Sequence, residues 1–373
     1  MIEVDVTVIG GGIVGCAVAA AAARRFSSVV LLEKEERLAS VTTSRNSEVA
    51  HGGMYYPAGS AKARLCVDGR RRMKAFCAES GVAYREVGKL IVASGPEQEP
   101  ELVRLRDLGR ANDVEDLRLL DAADLRRTEP NLRATSALHS PATAVFDAEA
   151  AALAFSRHAA DRGAQLMTDA AVVGLDRRNG GWEVPVRRVG GESWTHRSRW
   201  VVNAAGLHSD AVAEMAGIDV DSAGLRLHWV KGSYFTVAPG HAGKVNSLVY
   251  PVPPAGIDTL GVHVCLDLAG QMRLGPDYEL LDSRDENYAV DPGRLSDFFA
   301  GAGSYLPFLA AADLGPGLAG IRPKLAVTGF ADFVIRREED GREGLINLIG
   351  IDSPGLTASP AIAEEVLRLL ADD

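Results

Sequence analysis

The chain has few of the residues that build disulfide scaffolds, zinc sites or nucleic-acid surfaces. Its four cysteines, Cys16, Cys66, Cys77 and Cys265, lie far apart without a Cys-x-x-Cys spacing. That pattern argues against a disulfide framework and against a metal site, and it fits a reducing cytoplasm. Acidic residues outnumber basic ones by 50 to 40, and the net charge is −10. We therefore expect no nucleic-acid partner, and we interpret the basic run Arg70-Arg71-Arg72 as a solvated helix face.

Long apolar runs are also missing. No stretch reaches the roughly 18 residues of a membrane-spanning helix, and no charged-then-apolar leader precedes the first predicted strand. We expect a cytoplasmic protein without a transmembrane segment, with peripheral membrane contact left open. What is present, 373 residues with 47% hydrophobic and 24% charged side chains, is typical of a soluble globular enzyme with two or three domains.

The N-terminus carries a glycine-rich turn between a strand and a helix. An apolar strand, residues 4–9, precedes Gly10, Gly12 and Gly15, and a helix-forming run covers residues 16–25. Gly10 permits the tight turn, Gly12 lets the backbone approach a pyrophosphate, and Gly15 allows close packing of helix on strand. Glu33 follows at about the distance of a ribose-binding carboxylate. An ordinary strand-to-helix turn is the alternative, but the surrounding elements favour dinucleotide binding, whether of FAD or NAD.

After Glu33 the sequence pattern changes from a polar loop to alternating helical and strand segments. Residues 44–57 form a polar loop with glycines and tyrosines that needs a binding partner to hold it. Helices are predicted at 60–81, 150–162 and 362–370, and a helical stretch at 96–127 is interrupted at Gly109 and at Asn112-Asp113. Strands are predicted at 89–93, 165–175, 182–188, 200–206, 232–237, 247–252, 260–268 and 345–350. Parallel-type segments at both ends and antiparallel ones between them predict two interleaved domains.

Six segments together resemble one known family. They are Ser44–Ser47 with His51–Pro57, Lys231–Phe235, Tyr250–Pro253, Gly261–His263, Gly320–Lys324 and Gly350–Thr357. In this order they resemble the L-2-hydroxyglutarate dehydrogenase/oxidase branch of the D-amino-acid-oxidase-like flavoproteins, nearly from end to end. The resemblance selects FAD over NAD as the cofactor.

The resemblance also implies an α/β fold with two domains. A Rossmann-like FAD-binding domain with a parallel sheet would comprise residues 1–82, 145–222 and 326–373. A substrate-binding domain with a mixed or antiparallel sheet would comprise residues 83–144 and 223–325. The second domain would cap the flavin.

Cofactor-binding residues follow from the motifs and the resemblance together. The ADP half is expected at Gly10, Gly12, Ile13, Val14, Gly15, Glu33 and Lys34, with adenine contacts from the backbone of Val172 or Val173. Ala205 and Gly206 would pack beside this unit. The flavin half is expected at Ser44, Arg45, Asn46, Ser47, His51 and Gly52. A final strand, a glycine turn and a helix beginning near Leu356 would aim backbone N–H groups at the flavin, through Ser353, Gly355, Leu356 and Thr357.

Oxidation of a 2-hydroxy acid requires a cation for the carboxylate. By resemblance to amino-acid oxidases, Arg322 takes this role, and a guanidinium binds a carboxylate through two hydrogen bonds. The second arginine that some relatives carry in the final turn is absent here, so Lys231 or Lys324 would supply a second cation. Surface charges are the alternative for both lysines. Tyr55 and Tyr250 are expected in the pocket.

The reaction also requires a base for the hydroxyl proton. Two histidines compete for this role, His263 in a predicted strand and His51 in the flavin-side loop, because imidazole titrates near neutral pH. A core histidine bonded to backbone is the alternative for His263.

The sequence thus predicts an FAD-dependent oxidoreductase that converts an L-2-hydroxy acid to the 2-oxo acid by hydride transfer to the flavin. L-2-hydroxyglutarate is the leading candidate for the substrate. A D-amino-acid, glycine or secondary-amine oxidase of the same fold is the first alternative. A non-catalytic dinucleotide-binding protein is the second. The electron acceptor stays open among oxygen, a quinone and a carrier protein.

Overall fold

A computed structural model describes residues 2–188, 190–253 and 261–370. The strands are β1 (Glu3–Ile9), β2 (Val29–Leu32), β3 (Val49–Ala50), β4 (Tyr84–Glu86), β5 (Lys89–Ala93), β6 (Arg118–Asp121), β7 (Ser136–Ser140), β8 (Ala144–Phe146), β9 (Gln165–Met167), β10 (Ala170–Val172), β11 (Asp176–Arg178), β12 (Gly181–Arg188), β13 (Ser193–Asn203), β14 (His228–Val237), β15 (Leu248–Pro251), β16 (Val264–Leu266), β17 (Met272–Leu274), β18 (Glu279–Leu280), β19 (Leu314–Lys324), β20 (Val334–Arg337) and β21 (Leu345–Ile349). The helices are α1 (Ile13–Ala22), α2 (Ala61–Ser80), α3 (Glu99–Ala111), α4 (Ala122–Thr128), α5 (Ala148–Ala160), α6 (Ser209–Met215), α7 (Leu295–Gly303) and α8 (Gly355–Leu369).

The first sheet has a parallel centre in the order β21, β13, β1, β2, β9. Valine, leucine and isoleucine dominate these strands, and Val8 on β1 lies level with Val202 on β13 and Leu31 on β2. The strands are buried because α1, α5 and α8 pack over them in one hydrophobic cluster. The carboxyl ends of parallel strands lie at one edge, and in α/β sheets ligands bind outside that edge. The predicted Rossmann-like unit is confirmed.

The second sheet is mixed. Its strands run in the order β18, β14, β17, β16, β15, β5, β7, β6, and β19 pairs with β14. Most pairs are antiparallel, whereas β5 and β15 are parallel. Two of the predicted strands, 232–237 and 247–252, are confirmed as β14 and β15. The third is shorter than predicted: β16 covers only Val264–Leu266, and residue 260 lies outside the described residues.

A small third sheet, in the order β3, β8, β4, stands beside the two large ones. The described strands of the first sheet come from residues 3–32, 165–203 and 334–349, and those of the second from residues 89–140 and 228–324. The exact domain boundaries stay a prediction. Within the described ranges no helix combines the length and the apolar character that crossing a membrane requires.

The helix at 60–81 is confirmed as α2. The hydroxyl of Ser60 caps its start by accepting a hydrogen bond from the Ala63 N–H at 3.1 Å, and Gly81 ends it in a left-handed conformation at φ +69°. The basic run on this helix is not wholly solvated, however. Arg70 is buried at 4% exposure and pairs with Glu115. The prediction of a solvated face was therefore wrong for this one residue.

Other helix predictions need correction as well. In the helical stretch predicted at 96–127, the break at Asn112-Asp113 is confirmed, because α3 ends at Ala111. The break at Gly109 was wrong, because Gly109 lies inside α3, and helix at 118–121 was wrong, because these residues form β6 against β7. The N-terminal helix begins at Ile13, directly after the glycine turn, and ends at Ala22. The last helix, α8, begins at Gly355, seven residues before the predicted run at 362 but close to the expected start near Leu356.

Candidate active site

A long cavity lies along the carboxyl edge of the parallel strands. Gly10 after β1, Glu33 after β2, Ala204 after β13 and Ile351 after β21 all line it. Four turns from remote parts of the sequence meet here because their strands are parallel neighbours. Of the other predicted cofactor residues, those that also line the cavity are Gly12, Ile13, Val14, Lys34, Arg45, Asn46, Ser47, His51, Ala205, Gly206, Ser353, Gly355 and Leu356.

The glycine turn is shaped for close backbone approach. Gly10 adopts φ +106°, a conformation that side-chain-bearing residues rarely take. A Cβ on Gly15 would lie 1.9 Å from the Gly10 carbonyl oxygen, so only glycine lets α1 pack this closely on β1. Gly15 does not itself line the cavity. Gly12 does, and it stands at the start of α1, where backbone N–H groups favour an anion.

Glu33 is positioned as the sequence predicts, and backbone groups hold it in place. Its Oε2 accepts a hydrogen bond from the Gly11 N–H at 2.6 Å, and its Oε1 accepts one from the Glu35 N–H at 2.9 Å. Burial raises the pKa of this carboxyl, while the two backbone donors oppose that rise. Each oxygen keeps a second lone pair that can accept a ribose hydroxyl.

The loop after β2 wraps the middle of the cavity. The Asn46 amide holds the loop's shape: its Nδ2 donates to the Thr42 and Thr43 carbonyls, and its Oδ1 accepts from the Glu48 N–H. Arg45 lies over the Tyr288 ring at 4.1 Å, and its buried Nε has no hydrogen-bond partner among the described residues. The loop also contributes residues that sequence reasoning missed, namely Ala39, Ser40, Val41, Thr42 and Thr43.

Several predicted cofactor residues do not line the cavity. Ser44 donates its hydroxyl to the Val41 carbonyl, and Gly52 faces Ser140 and Met54. The Val173 N–H is donated to the Pro185 carbonyl at 3.0 Å, and Val172 pairs with Val186 in the sheet. Thr357 is fully buried behind the site. For these residues the structure shows a role in packing or in loop geometry.

A second cavity of about 390 Å³ adjoins the first, a volume in the usual range for small-molecule sites. Tyr55, Tyr56, Lys62, Tyr278 and Lys324 are among its lining residues. The buried hydroxyl of Tyr55 has no hydrogen-bond partner in the described part of the chain, so it is free to bind a ligand. Among the described residues, six line both cavities and therefore mark their junction: His51, His263, Pro276, Arg322, Asp352 and Ser353.

Arg322 reaches the junction from β19. It lies level with Val230 on β14, and a Cβ on the nearby Gly232 would stand only 3.2 Å from its Nη2, so glycine leaves room for the guanidinium. Nη2 donates to the Asp277 carbonyl at 2.9 Å and to the Lys231 carbonyl at 3.3 Å. The buried Nε has no partner among the described residues. Part of the guanidinium's donor capacity is thus directed into the site.

The two predicted substrate lysines are placed differently. Lys231 lines neither cavity, because its Nζ donates to the Ala289 carbonyl at 2.5 Å. Lys324 does line the second cavity, with its Nζ 3.6 Å from Asp352. Lys62, which sequence reasoning missed, binds the same carboxylate at 2.7 Å. Burial lowers the pKa of Lys324, and Asp352 opposes that shift.

Two histidines stand at the junction with a tyrosine and a buried lysine. The rings of Tyr250 and His263 stack with centroids 3.8 Å apart. His51 Nε2 is 3.4 Å from the Ser353 hydroxyl, and its Nδ1 is 3.5 Å from the Nζ of Lys89. Lys89 is only 1% exposed, and nothing in the sequence pattern of its strand distinguished it. Burial first, and then the charge of Lys89, lower the pKa of His51.

The start of α8 lines the first cavity as well. Ser353, Pro354, Gly355 and Leu356 line it at the point where this 15-residue helix begins. Backbone N–H groups and the helix dipole at this end favour negative charge. The glycine turn and Glu33 line the same cavity. These features, together with the unpartnered Arg45 Nε, fit an extended dinucleotide.

The comparisons with known proteins agree with this geometry. The model of the FAD dependent oxidoreductase (DAO) family matches residues 5–369. The chain belongs to this family. It is 37% identical to a mitochondrial L-2-hydroxyglutarate dehydrogenase of Arabidopsis thaliana, over 98% of this chain and 83% of that protein. The predicted resemblance is confirmed, and FAD is the cofactor.

Solved structures show the same fold. An L-alpha-glycerophosphate oxidase from Mycoplasma pneumoniae with FAD bound superimposes with a TM-score of 0.89 at 26% identity, over 100% of this chain and 96% of that one. A glycine oxidase from Geobacillus kaustophilus has a TM-score of 0.81 at 21% identity, over 100% and 95% of the two chains, and shares the fold. This FAD-dependent oxidoreductase is therefore an enzyme that acts on a small-molecule substrate.

Proposed function

We propose that this FAD-dependent oxidoreductase oxidises the alcohol carbon of an L-2-hydroxy dicarboxylate, with L-2-hydroxyglutarate as the substrate. The observation that carries the proposal is the junction of the two cavities, where Arg322 and His51 stand together. The substrate of the Arabidopsis relative, as its name gives it, supports the same choice.

The charges of the second cavity favour a dicarboxylate over a monocarboxylate. Its described lining residues include the cations Arg322, Lys62 and Lys324 and one carboxylate, Asp352. One aspartate shared by two lysines leaves one positive charge in excess, and Arg322 adds another. A dianion would match these two charges, whereas an amino-acid zwitterion would not. Arg322 would hold the carboxylate next to the reacting carbon, and Lys324 would hold the distal one.

His51 is the better placed of the two candidate bases. A catalytic base is usually oriented by a further group bonded to its other nitrogen, and Lys89 stands in that position behind His51 Nδ1. His51 Nε2 then faces the junction beside Ser353. Bound FAD supplies the hydride acceptor. His51 would take the hydroxyl proton, while His263, stacked on Tyr250, would form the wall of the site.

Anaerobic reduction of the bound flavin by a panel of substrates tests this function. The panel should contain L-2-hydroxyglutarate, its D enantiomer, the monocarboxylate L-2-hydroxybutyrate, glycine and a D-amino acid. We expect L-2-hydroxyglutarate to bleach the flavin absorbance fastest. Bleaching by glycine or the D-amino acid, with none by L-2-hydroxyglutarate, would replace the proposal by an amine oxidase of the same fold.

A further inference from the structure

Lys89 is a buried cation at the centre of the enzyme. It is the first residue of β5, level with Leu248 on the neighbouring β15 and with Ser140 on β7, so strands flank it on both sides. Its exposure is 1%. Lysine is almost never buried to this degree unless it is paired, because an ammonium ion loses its hydration in the protein interior.

The described surroundings of Lys89 include no carboxylate paired with its Nζ. Its Nζ lies 4.1 Å from the centroid of the Tyr250 ring and 5.4 Å from that of Tyr55, and the thiols of Cys66 and Cys265 are close enough to affect its charge. Within residues 2–188, 190–253 and 261–370 it forms no ion pair. Burial lowers the pKa of Lys89 to about 8, so both its forms are populated near neutral pH.

The polar contact of Lys89 is with His51, at 3.5 Å between Nζ and Nδ1. A lysine ammonium has only hydrogen-bond donors, so it makes His51 Nδ1 an acceptor and leaves the proton of the neutral ring on Nε2. In that form Nε2 cannot accept a proton from the substrate. A neutral lysine amine instead accepts from Nδ1–H, and Nε2 then carries a free lone pair. The protonation state of Lys89 therefore determines whether Nε2 of His51 can act as a base.

We propose that Lys89 is a positioning residue that selects the reactive tautomer of His51 and receives a proton from it during turnover. The proposal rests on the function of His51 proposed above. In the step, the substrate O–H bond breaks as the His51 Nε2–H bond forms. The Nδ1–H bond of His51 breaks as a new N–H bond forms on the amine of Lys89. The electron pair of the substrate C–H bond leaves as hydride to FAD, so charge and protons balance.

The tyrosines and thiols around the pair stay neutral in the same pH range. Burial raises the pKa of Tyr55, Tyr56 and Tyr250, and that of the Cys66 and Cys265 thiols to about 12 and about 11. The charges near them are Arg70 and Arg273, which act on the thiols, Glu101, which acts on Tyr55, and Asp352, which acts on Tyr56. His263 faces His51 and contributes to its lowered pKa. Among these groups Lys89 is the one whose pKa lies near 8, because burial lowers the pKa of His51 well below its ordinary value.

The pH profile of anaerobic flavin reduction separates this role from a merely structural one. For the wild-type holoenzyme with L-2-hydroxyglutarate we expect the rate of flavin reduction to rise with pH. The midpoint of this rise, the acid limb of the profile, should lie near pH 8. In Lys89→Met the limb should move by about one pH unit or more to lower pH, with the maximal rate reduced about tenfold or more. In Lys89→Arg, which stays charged, the limb should disappear and the rate stay low.

A matched control is Lys231→Met, which removes another buried lysine that lines neither cavity. Its acid limb should coincide with that of the wild type. A Lys89→Met enzyme that is slower but has its limb at the wild-type pH would overturn the proposal, because Lys89 would then only support the fold.

Nitrogen-15 NMR of the histidine-labelled wild-type holoenzyme without substrate gives a readout that needs neither turnover nor a variant at Lys89. The chain has eight histidines, and His51→Gln identifies the His51 signals. We expect the proton of the neutral ring to lie on Nε2 below about pH 8 and on Nδ1 above it. One tautomer throughout pH 6–10 would refute the Lys89 proposal. If the wild-type enzyme shows the pH-dependent tautomer but His51→Gln keeps full activity, only the proposed role of His51 as the base is refuted.

Discussion

Thr357 and His51 are 306 residues apart in the sequence, yet the Thr357 hydroxyl oxygen accepts a hydrogen bond from the His51 backbone N–H at 3.0 Å. The same hydroxyl donates to the Val49 carbonyl at 3.1 Å. One fully buried side chain on α8 thus fixes the backbone of the loop that presents the proposed base. The hydrogen bonds of Thr357 thus connect the start of α8 to the backbone of His51, the proposed base.

Thr357→Val tests this coupling, because valine keeps the shape and removes the hydroxyl. We expect a loss of about 1–3 kcal/mol in the free energy of unfolding, since one buried donor and one buried acceptor lose their partner. The rate of flavin reduction should fall as well. Thr357→Ser, which restores the hydroxyl, should recover both. Urea unfolding and anaerobic stopped-flow reduction measure the two effects, and equal rates for the valine and serine variants would contradict the coupling.

Gly15→Ala tests the packing of the dinucleotide turn. The new methyl group would stand 1.9 Å from the Gly10 carbonyl oxygen, so the turn must shift. Overpacking of this kind costs about 1–3 kcal/mol. We expect purified protein with a reduced FAD content, measured by flavin absorbance per protein. Gly240→Ala is the control, because a Cβ there meets no atom within 4 Å, and its FAD content should match the wild type.

Arg322→Ala should weaken substrate binding while FAD stays bound. A charge-assisted hydrogen bond contributes about 1.5–3 kcal/mol, which corresponds to a loss of affinity of roughly 10–150-fold. Titration of the oxidised holoenzyme with a non-reacting dicarboxylate, followed through the flavin spectrum, measures it. An unchanged dissociation constant would remove Arg322 from the substrate site.

Lys324→Met tests the proposed distal carboxylate contact. We expect kcat/KM for L-2-hydroxyglutarate to fall about tenfold, because one charge-assisted contact is lost. The value for L-2-hydroxybutyrate, which has no distal carboxylate, should change by less than about threefold. An equal loss of kcat/KM for both substrates would mean that Lys324 affects the site through its ion pair with Asp352 and does not contact the distal carboxylate.

Lys89→Met should make the protein more stable. Burial holds the pKa of Lys89 at about 8, below the ordinary lysine value of 10.5, so the folded state binds this proton less well than the unfolded state. The buried ammonium of Lys89 destabilises the folded state fully below pH 8, and this effect vanishes as the pH approaches 10.5. We expect the variant to gain about 1–2 kcal/mol at pH 7 and less at pH 9.5, as measured by urea unfolding. A loss of stability at pH 7 would show that the ammonium is well solvated in the fold.

The sequence predicted the strands and turns that line the first cavity well, because their signals are local. Gly10 and Glu33 follow apolar strands, and α8 follows a glycine turn, so each piece could be placed without knowing its neighbours. The order of six family-like segments then selected FAD. Family membership from residues 5 to 369 confirms that choice.

The structure differs from the sequence-based expectation at groups whose surroundings come from other segments. Lys231 and Lys324 were equivalent in the sequence, but one is tied to the Ala289 carbonyl and the other lines the second cavity. The backbone of Val173 was expected to contact adenine, whereas its N–H donates a hydrogen bond to the Pro185 carbonyl. The helix predicted across residues 118–121 became a strand because β7 offered a pairing edge.

Local patterning therefore established the dinucleotide unit, the strands and the family, because helix periodicity, strand alternation and turn chemistry act over a few residues. Only the tertiary structure brings together the groups to which we assign roles in the reaction. Lys89 became a buried neighbour of His51 only through the pairing of β5 with β7 and β15, and Thr357 became its support only because α8 packs beside β3. The burial of a charge, and hence its pKa and reactivity, depends on contacts between remote segments that no local pattern records.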